Sequence, residues 1–208
     1  MKHSGLLGLS MLTLIAVTPA VALADVSSWC PEGQKAISAG NYEEANQALN
    51  TCLYSPPEDP ALAADGYVLR GETYLEGLDY EAALSDFDRA IELAPDNAVA
   101  WRKKAWVHYK RNELHPAVTA ITESLELDPH STRSHHVHAQ ILTAMGRGIA
   151  AMDAYDLAYS FESQAAVQQL QSALENQGFK VGARDGVYGA RTRDALKECI
   201  AAGCNIPL

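Results

Sequence analysis

The sequence predicts an all-α protein: a superhelix of antiparallel helix pairs followed by a small helical module. Three observations carry this. Small and large residues recur with a period of 34 from Trp29 to Ala158. Beyond Ser160 that pattern stops, and Val167, Leu170 and Leu174 line one face of a new helix that Gly178 ends. Hydrophobic residues make up 48% of the 208, enough to build a core and exclude wholesale disorder.

The chain opens with Lys2 and His3, then an uncharged run from Leu6 to Val17, a breaker at Pro19 and the small-x-small pattern Ala22-Leu23-Ala24. The apolar run is too short to span a bilayer, which takes about twenty residues. Residues 1–24 therefore read as a cleaved secretory signal, with the mature chain starting near Asp25 in an exported, oxidising compartment. The style of the signal fits a bacterial periplasm. The first cysteine, Cys30, lies too far behind the run to be a lipid anchor, and no later stretch suits stable membrane insertion.

With Ala64 at position 1, Tyr67, Gly71, Tyr74, Tyr80, Ala83, Phe87, Ala90 and Pro95 take positions 4, 8, 11, 17, 20, 24, 27 and 32. Small residues at 8, 20 and 27 let two helices approach, large ones fill the space between them, and Pro95 ends the second helix. One period on come Trp101, Ala105, Leu114, Ala117, Ile121, Ser124 and Pro129, and then His135, Ala139, Leu142, Gly146, Ala151, Tyr155 and Ala158. One period back, with a four-residue insertion over 60–63, stand Trp29, Gly33, Gly40, Tyr42, Ala45, Leu49, Cys52 and Pro57. This pattern resembles the tetratricopeptide repeat family, with repeats at 26–59, 64–97, 98–131 and 132–160 in an array over 25–162. Stacked repeats of this kind bury a continuous core.

The resemblance implies a concave groove lined by the first helix of each repeat. Its positions 2, 5, 9, 12 and 13 are here Asp65, Val68, Glu72, Leu75 and Glu76, then Val99, Arg102, Trp106, Tyr109 and Lys110, then Arg133, His136, Gln140, Thr143 and Ala144. Such a groove runs from an acidic end to a basic, aromatic one. That suits an extended peptide of a protein partner, with charge setting its direction. The lysine/asparagine clamp of co-chaperone members is not matched. His130, His135, His136 and His138 raise the question of a metal, but no carboxylate or cysteine stands at ligand spacing beside them. Packing and groove-wall roles are expected, with no metal and no cofactor.

The last module, 163–208, carries Val167, Leu170, Gln171, Leu174, Gly178, Phe179, Gly182, Asp185, Gly186, Tyr188, Gly189, Thr192, Ala195 and Leu196. This set resembles the peptidoglycan-binding domain of the small three-helix type. Cys199 departs from the phenylalanine usual there, and the lead-in to the first helix is short. Asp185 and Gly186 suit a tight turn, and a second helix is expected from about Ala190 to Ala202 with Gly203 as its stop. The resemblance implies peptidoglycan as ligand. Gln177, Lys180, Arg184, Arg191 and Arg193 are the candidates near the turn, the cationic ones facing the carboxylates of muramyl peptides. The rival role is a cap on the exposed end of the array.

Cys30 and Cys52 fall where the first repeat's two helices meet, and Cys199 and Cys204 flank Gly203. Local pairing Cys30–Cys52 and Cys199–Cys204 is expected in an exported protein. There is no nucleophile elbow, zinc-hydrolase helix or phosphate loop. The reading is a non-catalytic adaptor. The alternative is a regulatory subunit of a cell-wall hydrolase, or a cryptic hydrolase.

The formal charge of −10 excludes general nucleic-acid binding, and it is unevenly spread. Residues 25–162 hold 22 acids and 10 bases, whereas 163–208 hold 4 acids and 5 bases. The acidity belongs to the array, and the proposed wall-facing module is slightly basic.

Overall fold

The computed structural model describes residues 26–204 and 206. The expected signal at 1–24 lies outside them. Among the described residues the chain is helical throughout, without strands. The first repeat comprises α1 (Val26–Trp29), α2 (Pro31–Ser38) and α3 (Tyr42–Tyr54), and the second α4 (Pro60–Glu76) and α5 (Tyr80–Leu93). The third comprises α6 (Ala98–Lys110) and α7 (Leu114–Leu127), and the fourth α8 (Thr132–Ala144) and α9 (Gly148–Ser160). Two further helices follow, α10 (Gln164–Asn176) and α11 (Ala190–Ala202). No described helix is long and apolar enough to cross a membrane.

Local chemistry sets these boundaries. Side chains of Asp59, Asp79, Asn97, Ser131 and Ser163 accept backbone amides at the starts of α4, α5, α6, α8 and α10. Pro31 breaks the first helix, because a residue before proline is pushed out of the α region; Cys30 sits at φ −134°, ψ 60°. The four inserted residues 60–63 form no loop. Pro60 stands at the first helical position, so the insertion adds a turn to the front of α4.

The turn inside each repeat shows a further periodicity. Gly40, Leu78, Asn112 and Gly146 all occupy position 15, and all have φ between 58° and 74°. Glycine enters this left-handed region freely and asparagine at small cost; leucine pays about 1–2 kcal/mol. Leu78 is 70% exposed and has little packing to lose. Leu78→Gly is therefore expected to stabilise the protein by about 0.5–1 kcal/mol, once glycine's greater unfolded-state entropy is subtracted. Urea unfolding checks this, and a lower midpoint would refute it.

Between the helices the core runs as a relay. Cys30, Leu49 and Leu62 form its first section. Ala64, Val68, Ala83, Phe87 and Ala90 pack with Ala100 and Val107 of the next repeat. Ala105, Ala117 and Ile121 pack with Val137 and Ile141. The last section crosses residue 163 without interruption: Ala139, Leu142, Tyr155 and Tyr159 share one cluster with Val167, Leu170, Leu174, Leu196 and Ile206. Helix α9 is thus both the second helix of the fourth repeat and the third helix packed on α10 and α11. Cys30–Cys52 and Cys199–Cys204 are disulfide-bonded, with Cα atoms 5.8 and 5.2 Å apart.

Candidate functional site

The first helices α4, α6 and α8 lie side by side, and α10 faces α6 and α8 across a cavity. Counting the period past Ser160 makes Ala166 the next position 1, which puts Leu170 in register with Arg102 and His136. Between α6, α8 and α10 lies a cavity of about 420 Å³. Its lining includes Arg102, Trp106, Arg133 and His136 from the array, Tyr159 and Glu162 from the end of α9 and its loop, and Gln169 of α10.

The charges here are unusual for the array. Half-buried cations elsewhere meet carboxylates: Arg70 with Asp86 (2.6 Å), Lys103 with Glu72 (2.7 Å), Lys104 with Asp88 (2.6 Å) and Arg111 with Glu113 (2.9 Å). Among the described residues neither the half-buried Arg102 nor the exposed Arg133 has an ion-pair partner, and both line the same cavity. Burial and the charge of Arg133 hold Arg102 below the usual guanidinium value, with Glu72 opposing. Glu162, a carboxylate in the cavity lining, stands 3.7 Å from His136 Nε2. Burial disfavours the imidazolium of His136. An anion entering between the two arginines would relieve their mutual repulsion. The ring of Trp106, which lines the cavity, lies 5.3 Å from that of Tyr109 at a tilt of 32°, and the Lys110 ammonium lies 4.5 Å over the Trp106 ring.

Other groove candidates fall in several places. Glu72 is neutralised by Lys103. Asp65 accepts a hydrogen bond from Asn97 at 3.1 Å. Glu76 borders a separate cavity with Tyr42, Glu43 and Asn46. Val68 is buried because α6 packs over position 5, so it is core and not groove wall. His136, expected on the open wall, is nearly covered: the Tyr159 ring meets its edge at 4.6 Å and Tyr155 at 6.0 Å. Gln140 bonds the chain's own C-terminal segment. Tyr159, Glu162 and Gln169 were missed, because they stand at positions 28, 31 and 4 of the period and not at the groove positions; what brings them there is the docking of α9 and α10 on the array.

In the C-terminal module the turn is assembled around Gln171, which is 1% exposed. Its amide donates to Asp185 Oδ1 (3.1 Å), Val187 O (3.2 Å) and Thr192 Oγ1 (3.0 Å), and its carbonyl accepts from Gly186 N (3.0 Å). Five polar side chains were singled out nearby. Arg193 is committed elsewhere: its guanidinium grips Asp156 of α9 at 2.6–2.9 Å, and Tyr188 OH donates to the same carboxylate at 2.8 Å. The Tyr188 ring stacks on Tyr159 at 5.1 Å. Arg193 therefore fastens the module to the array. Gln177 donates to Ala173 O (3.2 Å), capping its own helix end. Lys180, Arg184 and Arg191 are exposed. Arg184 stands 3.4 Å from Glu175, and the Arg191 stem lies across Gly182.

The histidines are spread. His135 Nε2 bonds Pro129 O at 2.9 Å, and His130 meets Phe161 edge-on at 5.5 Å. Among the described residues no group of three or more His, Cys, Asp or Glu is placed to hold a metal ion.

Comparison with known proteins agrees with this architecture. A tetratricopeptide repeat model matches residues 30–98 and 68–132, and a peptidoglycan binding domain model matches 163–199. Small glutamine-rich tetratricopeptide repeat-containing protein 2 of Saccharomyces cerevisiae is 27% identical over 165 residues, which is 76% of this chain and 45% of that protein. The chain thus spans less than half the length of this relative. MamA 41-end from Desulfovibrio magneticus RS-1 superposes with a TM-score of 0.59 at 16% identity, covering 88% of this chain and 97% of the other. The first TPR of Spaghetti (RPAP3), bound to the HSP90 peptide SRMEEVD, gives 0.52 at 20% identity over 59% of this chain and 94% of the other. These last two likenesses concern the fold alone. With four helix pairs in 34-residue register and the Gln171-centred turn after them, the chain is a tetratricopeptide repeat protein with a C-terminal peptidoglycan-binding-like domain.

Proposed function

We propose that the protein is an exported, periplasmic, non-catalytic adaptor. Its groove takes an extended segment of a protein partner, and its C-terminal module holds peptidoglycan. The observation that carries the groove half is the cavity that Arg102 and Arg133 share, where neither forms an ion pair among the described residues although Glu162 lines the same space and Glu72 acts on Arg102 from farther off. An acidic side chain of the partner supplies the missing charge, and Trp106 and Tyr109 supply contact area. The acidic peptide held by the structural neighbour is a precedent for the fold. The wall half is supported by the family match and by Lys180, Arg184 and Arg191, which lie on a face the array does not cover. Capping the array and binding the wall are compatible, because α10 buries one face and the turn presents another. The rival, a regulatory subunit of a wall hydrolase, uses the same two surfaces and differs in what the partner does.

One experiment tests both halves on the full mature chain. Arg102→Glu/Arg133→Glu is expected to lower capture of a partner from a periplasmic extract at least tenfold while retention on purified sacculi is unchanged. Lys180→Glu/Arg184→Glu/Arg191→Glu is expected to do the reverse. Wild-type retention by the second variant would remove the wall claim, and wild-type capture by the first would remove the groove claim. Cutting the chain at Ser160 is the poorer design, since it bares the core that Leu142 and Tyr155 share with Leu170.

A further inference from the structure

The inner end of the groove holds a segment of the chain itself. Helix α11 stops at Gly203, whose φ of 70° turns the backbone round, and Cys204 N donates to Cys199 O at 3.1 Å beside their disulfide. The reversal carries the chain to the concave side of the fourth repeat. There Ile206 is 5% exposed, and its carbonyl accepts from Gln140 Nε2 at 3.4 Å across 66 residues of sequence. Gln140 is at position 9, in register with Trp106. Beside Cys204 and Ile206 remains a cavity of about 140 Å³ lined by Tyr109, Gln140, Thr143, Ala144 and Tyr155. The buried Gln140 Oε1 has no hydrogen-bond partner.

Tyr109, Gln140, Thr143 and Ala144 occupy positions from which the repeats present side chains to the groove. An amide of the groove reads a backbone carbonyl, and an apolar wall takes an aliphatic side chain. An extended peptide ligand would be held in the same way. We propose that this inner groove is a binding site for an extended, uncharged segment bearing an aliphatic residue, and that the chain's own C-terminal segment at Cys204 and Ile206 is its resident occupant. A partner reaching the inner groove displaces that segment, whereas one confined to the Arg102/Arg133 cavity does not. The inference shares with the proposed function the reading of the concave face as a ligand surface, but its test needs no partner.

The probe is the peptide Ser-Asn-Ile-Pro-Leu, residues 204–208 with serine for Cys204, acetylated and amidated at its ends and added to the full mature chain at up to millimolar concentration. The readout is the Gln140 side-chain amide resonance. In Ile206→Glu that resonance is expected to move, and the peptide to return it toward its original position. The unmodified chain, whose tethered segment competes at high effective concentration, is expected to need at least tenfold more peptide. Cys199→Ser/Cys204→Ser keeps the segment but frees its anchor, and should fall between the two. Changing the peptide's isoleucine to aspartate should abolish the response. Equal peptide requirement in Ile206→Glu and the unmodified chain would overturn the proposal. So would loss of cooperative melting in both Ile206→Glu and Cys199→Ser/Cys204→Ser, which would make the place of Ile206 in the last core section indispensable to the fold and not a seat it can vacate. Neither outcome depends on the Arg102/Arg133 test.

Discussion

Replacing Arg70 with methionine is expected to cost about 3–5 kcal/mol of folding stability, a size typical of breaking a buried ion pair from one side. Asp86 of α5 is 4% exposed, and Arg70 of α4 holds both its oxygens, Nε to Oδ2 at 2.8 Å and an Nη to Oδ1 at 2.6 Å. The other Nη donates to Asn50 of α3 at 2.8 Å, and the guanidinium carbon lies 5.4 and 5.9 Å from the rings of Tyr67 and Tyr74. One guanidinium thus ties the first repeat to the second and fixes the pairing within the second. Removing it strands a desolvated carboxylate, which is the expensive half of the loss. The partner change Asp86→Leu in the same chain should therefore recover most of the stability. Urea unfolding of the two single variants and the double variant measures this coupling. The exposed pair Arg89–Glu92 (2.8 Å) is the control, and disrupting it should leave the unfolding midpoint essentially unchanged, because solvent screens it. Equal costs for Arg70→Met and disruption of Arg89–Glu92 would show that burial contributes nothing to the first.

The repeat register was legible because it rests on steric pairs that sequence displays directly. Gly71 at position 8 faces Phe87 at position 24, and a Cβ on Gly71 would come within 2.6 Å of the Phe87 ring. Gly33 stands in the same relation to Leu49, at 2.9 Å. The turn after α10 was legible for a similar reason, since Asp185 and Gly186 are local backbone chemistry. What spacing did not display is which element covers a given face. Val68 and Arg102 share position 5, yet one is core and the other borders a cavity, because α6 lies over the first and open space over the second. His136 reads as groove wall until Tyr159 folds against it. Arg193 reads as solvent-facing until Asp156, 37 residues earlier, claims it. Each of these depends on a long-range contact between segments whose individual patterns are complete without it.

Gly186→Ala is expected to destabilise by about 3–5 kcal/mol, and the loss should not stay within the C-terminal module. Gly186 has φ 73°, a conformation that costs alanine about 1–2 kcal/mol. A Cβ there would also sit 2.2 Å from Gln164 Cγ and 2.5 Å from the Gln164 carbonyl oxygen. The side chain can swing away; the carbonyl belongs to the first turn of α10 and cannot. The turn must therefore move, and the bond from Gly186 N to the buried Gln171 goes with it, a further cost of about 1–3 kcal/mol. Gly178 separates the two effects, because its φ is 93° but nothing lies within 4 Å of an added Cβ. Gly178→Ala should cost only the conformational term. Hydrogen exchange followed by mass spectrometry then reads where the loss travels. Leu170 and Leu174 of α10 share one core section with Ala139, Leu142 and Tyr155 of the fourth repeat, and Arg193 is clamped to Asp156 of α9. Protection in Gly186→Ala should accordingly fall across α8 to α11 together, while α4 and α5, whose core section has no member in α8, keep theirs. A loss confined to α10 and α11 would mean that the fourth repeat is stable without the module. The shared cluster would then be a contact between two independent units, and the module would not be needed to cap the array.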